Sequence, residues 1–124
     1  MDFLFQPELV EVDAKEWNPT EEEKVFVREP SAGEYALYES IQAKLHWNGI
    51  DDAERRKVYA EIAVKFARDA NGRLLFGSNM IEKLACGSSK PLRRIALKVS
   101  ELSKIDDNEL AELEKNSLGN ATTG

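Results

Sequence analysis

Apolar positions alternate with polar ones in two short segments of the first thirty residues and then recur at steps of three and four from residue 31 onward. Residues 9 to 13 (LVEVD) and 24 to 28 (KVFVR) place β-branched or aromatic side chains at every second position, which predicts two short half-buried strands paired antiparallel. The intervening stretch carries the Asn18-Pro19 step and a run of acids, so it reads as a loop, with Trp17 expected as a lid over the sheet. Ser31 and Glu34 stand at capping-box spacing and open a helix over 31–47, its core face made of Tyr38, Ile41 and Leu45 with Leu37 and Ala43 beside them. Asn48 and Gly49 end it.

Asp51 or Asp52 caps a second helix reaching to about Asp69, with Val58, Ile62 and Phe66 as its apolar stripe and Tyr59 and Ala63 alongside. The DANGRLLF stretch, 69–76, predicts a tight turn followed by a short extended run. Asn79 and Glu82 repeat the capping-box spacing at the start of a short helix to Cys86, and Gly87 stops it. Ser89 is expected to cap a fourth helix to Ser103 that repeats Leu92, Ile95, Val99 and Leu102. A last helix, 106–116, has only Leu110 and Leu113 as strong apolar positions. The expected fold is mainly α, about five helices in a compact bundle with a small N-terminal antiparallel β element.

Composition narrows this picture. A chain of 124 residues, 42% hydrophobic and 32% charged, fits one domain, taken as 1–117 with a β and arm region over 1–30, a helical region over 31–117 and a disordered tail over 118–124. No apolar run approaches the ~20 residues of a membrane span, and MDFLFQPELV lacks the basic and apolar regions of a signal peptide, so a cytoplasmic location is expected. The net charge of -6 is uneven: segment 1–30 carries -6, 31–71 carries -1, 72–104 carries +5 and 105–124 carries -4. Long-range repulsion from a polyanion makes nucleic acid an unfavoured partner, and the basic segment is expected to pair internally with the acidic ends.

Candidate chemistry is sparse. His46 and Cys86 are the single histidine and cysteine, which excludes a Cys/His zinc site and an internal disulfide within the chain. Cys86 reads as a small buried packing residue, and the basic run Arg55, Arg56, Lys57 as a solvated helix face. The pairs Asp51/Asp52 and Asp106/Asp107 stand at helix starts, where capping accounts for them. CGSSK lacks the spacing of a phosphate loop. No catalytic, metal-binding or cofactor-binding residue is assigned, and a non-enzymatic protein is expected.

Several segments together resemble a known family. The strand ending in Val27-Arg28, then EPSAGEYALYES, KFARDANGRLLFGSNMIEKL, SSKPLRRIALKVSEL and the terminal NELAELEKNS are similar in order and spacing to the small tail assembly chaperones of long-tailed, siphovirus-type bacteriophages. The resemblance covers about residues 24–117. It implies a chaperone that coats the helical tape measure protein and keeps it soluble in the host cytoplasm. It further implies self-association and absence from the finished virion. Members of that family are often made in two lengths by a minus-one ribosomal frameshift, the longer form recruiting tail tube protein. Leu118, Gly119 and Asn120 can be encoded by CTG GGA AAC, which contains a slippery heptamer, and the nucleotide sequence tests this directly.

A chaperone of this kind needs exposed apolar surface on an acidic body. Apolar residues that the core periodicity does not use are the candidates: Phe3, Leu4 and Phe5 on the N-terminal arm, Trp47, and Leu75, Phe76 and Met80 near the connector. Two alternatives stand beside this reading. Helix, tight turn and basic helix 90–103, with Lys90, Arg93, Arg94 and Lys98, follow the outline of a helix-turn-helix DNA-binding regulator. The other alternative is a structural tail or head-joining subunit.

Overall fold

Two valine-rich strands and four α-helices account for the regular structure of residues 7–17 and 23–104, the part of the chain that the computed structural model describes. Strands β1 (Val10–Val12) and β2 (Val25–Val27) pair antiparallel, with Val10 opposite Val27 and Val12 opposite Val25. The two-residue alternation turns Val12, Val25 and Val27 into the core, while Glu11 and Phe26 share the other face. Arg68 extends the pairing on the far side of β2: its N–H donates to the Phe26 carbonyl at 2.7 Å, and its carbonyl accepts from the Phe26 N–H at 2.8 Å.

Helix α1 (Ala32–Ala43) begins with both halves of the expected capping box. The Glu34 N–H donates to Ser31 Oγ at 3.2 Å, and the Ser31 N–H donates to Glu34 Oε1 at 3.0 Å. The helix stops short of residue 47 because the chain tightens into a 3-10 turn, Lys44–His46, and then reverses at Gly49, whose φ of 79° suits glycine. Tyr38 and Ile41 are buried as expected, whereas Leu37 and Ala43 are exposed. They lie around the helix from the Tyr38–Ile41–Leu45 stripe.

Helix α2 (Asp52–Phe66) is the centre of the fold and packs on α1, α3 and α4. Asp51 caps it, accepting the Glu54 N–H at 2.8 Å. Its second half buries Val58, Ala60, Ile62, Ala63, Val64 and Phe66, more than one stripe, because neighbours cover it from several sides. It ends at Phe66; residues 67–69 leave the helix to join the sheet edge.

Helices α3 (Ile81–Cys86) and α4 (Ser89–Ser103) depart from expectation at their starts. Asn79 does not cap α3: it lies inside a 3-10 turn, Ser78–Met80, in which the Met80 N–H bonds to the Gly77 carbonyl, and α3 has no side-chain cap. Ser88, not Ser89, caps α4, and Pro91 and Leu92 sit buried in its first turns. Ile95 and Val99 continue that face into the core, with Leu102 half-buried. Cys86 is exposed, not buried, since α3 is so short that only Leu84 and Ala85 turn inward. The last expected helix, 106–116, lies outside the described residues. No helix among the described residues is long and apolar enough to cross a membrane.

Candidate functional site

The connector between α2 and α3 delivers the first wall of an apolar groove. After Arg68 the chain turns on Asp69, whose carboxylate accepts the N–H groups of Asn71 at 2.8 Å and Arg73 at 3.1 Å, while Gly72 takes the left-handed conformation at φ 82°. Arg68 and Leu74 form an isolated bridge, and the Leu75 N–H returns to the Ala67 carbonyl at 2.9 Å. This local hairpin presents Leu75 and Phe76 together. Met80 follows from its 3-10 turn, Lys83 and Leu84 from α3, Gly87 from the α3–α4 turn, and Val25 from β2.

Trp17 closes one end. It is half-buried, edge-on to Phe76 with ring centroids 5.6 Å apart and planes at 87°. The groove so enclosed measures about 530 Å³, its walls are apolar, and Glu23 and Lys83 supply its charged lining. Among the described residues, its lining holds no nucleophile paired with a base. It is a half-open, mainly apolar groove with room for about two or three large side chains, each worth roughly 1.5–3 kcal/mol when fully buried.

Two charged networks hold this geometry. On the outer side of the turn bearing Trp17, Arg94 of α4 donates to both Glu16 carboxylate oxygens, at 2.6 and 3.0 Å, and to the Asp13 carbonyl at 3.0 Å. The hydrogen bond from Arg94 holds the Glu16 carboxyl below its ordinary pKa, and the same bond raises that of Arg94. Glu34 is the hub of the second network: its Oε2 accepts from Arg28 at 3.2 Å and from Arg68 at 3.1 Å. Burial pushes the Glu34 carboxyl upward, but the Ser31 N–H and the two guanidinium groups outweigh it and keep its pKa low. Arg68 also donates to the Gly72 carbonyl at 2.8 Å, so the strand end, the helix cap and the Asp69 turn are tied to one carboxylate.

No family model, curated protein or solved structure compared with the chain matches it.

Of the sequence candidates, Leu75, Phe76 and Met80 come together in the groove, and Trp47 does not: it stands 61% exposed beyond the end of α1. Phe3, Leu4 and Phe5, and Leu118, Gly119 and Asn120, lie outside the described residues. Val25, Glu23, Lys83 and Leu84 were not singled out as partner-binding positions; the first and last look like ordinary core residues in sequence. The basic cluster Arg55, Arg56, Lys57 is exposed as expected, with Lys57 3.2 Å from Glu82. The expected pairing of the basic segment with an acidic end takes the form of the Arg94–Glu16 bridge. Arg94 is thereby paired within the molecule, which takes one of the four cations a recognition helix would present to phosphate, while Lys98 makes an exposed pair with Glu101 at 2.9 Å. His46 and Cys86 are exposed, and no group of three or more His, Cys, Asp or Glu among the described residues is placed to hold a metal ion.

Proposed function

We propose that this chain is a tail assembly chaperone of a long-tailed bacteriophage, a non-enzymatic cytoplasmic protein that binds the tape measure protein through the groove and keeps it soluble until the tail tube forms around it. The observation that carries the reading is the groove itself: an apolar seat of about 530 Å³ on an acidic 124-residue chain, lined by Leu75, Phe76 and Met80. A long helical partner presents apolar side chains at three- and four-residue steps, and a groove of this size accepts one such stripe. Met80 adds an unbranched, polarizable side chain that adapts to successive segments of a repetitive partner. The acidic exterior keeps the loaded complex from aggregating. The resemblance further supports self-association, and a longer frameshifted product that recruits tail tube protein.

Co-expression with the tape measure protein of the same genome is the direct test. The parent chain should shift that protein into the soluble fraction and co-purify with it, whereas Met80→Glu, placing a carboxylate in the apolar seat, should lose co-purification while remaining folded. A tape measure protein that stays insoluble and does not co-purify with the parent chain would refute the reading.

A further inference from the structure

The wall that Trp17 gives the groove is held from outside by one guanidinium. Trp17 sits at the end of a single 3-10 turn, Lys15–Trp17, and one turn of this kind has little stability of its own. Within it, the Trp17 N–H bonds to the Ala14 carbonyl at 2.9 Å and the Lys15 N–H to Asp13 Oδ1 at 3.1 Å. From the helical body, Arg94 grips the segment at two points, the Asp13 carbonyl ahead of the turn and both oxygens of Glu16 in its middle, next to Trp17. The Glu16 side chain is 19% exposed and that of Arg94 33%, so the pair lies near the surface and owes its definition to two-pronged geometry and not to burial. The buried Ala14 anchors the turn's start, and Trp17 itself packs against the core beside Phe76.

We infer that Arg94 and Glu16 are positioning residues of the groove: the fork sets the orientation of the Lys15–Trp17 turn, keeps the Trp17 indole edge-on to Phe76, and so determines whether the groove is closed at that end. The inference rests on the groove being the partner-binding site, and it also assigns a role to the most strongly paired cation of the basic helix. An arginine is required because both carboxylate oxygens and the Asp13 carbonyl are reached from one planar group.

The test uses the full chain with Trp47→Phe, which leaves Trp17 as the sole indole; Trp47 is exposed and the change should be tolerated. Into this background go Arg94→Ala, the milder Glu16→Gln, and the double variant carrying both. Helical circular dichroism verifies folding for each. In the folded single variants, Trp17 emission should move to longer wavelength and its acrylamide quenching should rise about twofold, with the double variant displaced no further than Arg94→Ala alone, since both changes break the same fork. Binding of the co-expressed tape measure protein should weaken about tenfold in the single variants and no further in the double variant. Unchanged emission and quenching in both folded single variants would overturn the inference. Altered Trp17 spectra alongside a parent chain that binds no tape measure protein would uphold the positioning role and refute the functional reading instead.

Discussion

At the residue scale, Glu34 has the most partners of any carboxylate in the described structure. It completes the cap of α1 and receives Arg28 and Arg68, the latter with its side chain only 11% exposed. Removing its charge leaves two partly buried guanidinium groups facing a neutral amide, a loss in which the orphaned partners cost more than the bonds themselves. Glu34→Gln is therefore expected to destabilise the protein by about 2 kcal/mol at neutral pH, read as a lower urea midpoint with unchanged slope. Ser31, Glu34, the Asp69 turn and Gly72 are recognisable in sequence because each uses a spacing of a few residues. Their common meeting point is not, since Arg28 and Arg68 give no sign in sequence of sharing one acceptor.

At the scale of elements, the helices differ in how their ends are satisfied. Helices α1, α2 and α4 have side-chain caps from Ser31, Asp51 and Ser88, while the six-residue α3 has none and rests on α2 through Leu84 and Ala85. A helix so short cannot hold itself together by propagation and depends on packing. Amide hydrogen exchange should accordingly be faster in α3 than in the buried half of α2 or in the Leu92–Val99 stretch of α4, and equal protection in all three would contradict this account. Since α3 contributes Lys83 and Leu84 to the groove, its looser holding lies beside the proposed binding site. The expected Asn79 cap shows how spacing alone misleads: Asn79 and Glu82 stand at the right interval, but Met80 is already bound back to Gly77, so the turn begins before the cap position.

For the whole molecule, acidic and basic segments far apart in sequence are joined by ion pairs whose carboxylates titrate low. The folded pKa values of Glu16 and Glu34 lie below their ordinary range, so their stabilisation is complete above the unfolded value and is lost as pH falls through the folded one. Stability should thus decline as pH drops below about 4.3, and the gap between the parent and Glu34→Gln should narrow over the same interval. A gap that stayed constant down to pH ~3 would show that the carboxylate charge is not the source of the difference.

Local periodicity and short-range hydrogen bonding were enough to establish from the sequence alone a mainly helical chain with two antiparallel valine strands, the cap at Ser31, a cap at Asp51 or Asp52, the reversal at Asp69–Gly72 and the main buried stripes of α2 and α4. These features are encoded within a few residues, where backbone geometry leaves little choice. Which side chains line the groove was decided by tertiary structure: Trp17 meets Phe76 and shares a groove with Leu84 only because the strand region folds against the α3–α4 turn, and Arg94 reaches Glu16 across 78 residues of chain. Such encounters depend on how whole elements pack, a sum of many weak contacts that no single spacing in the sequence records.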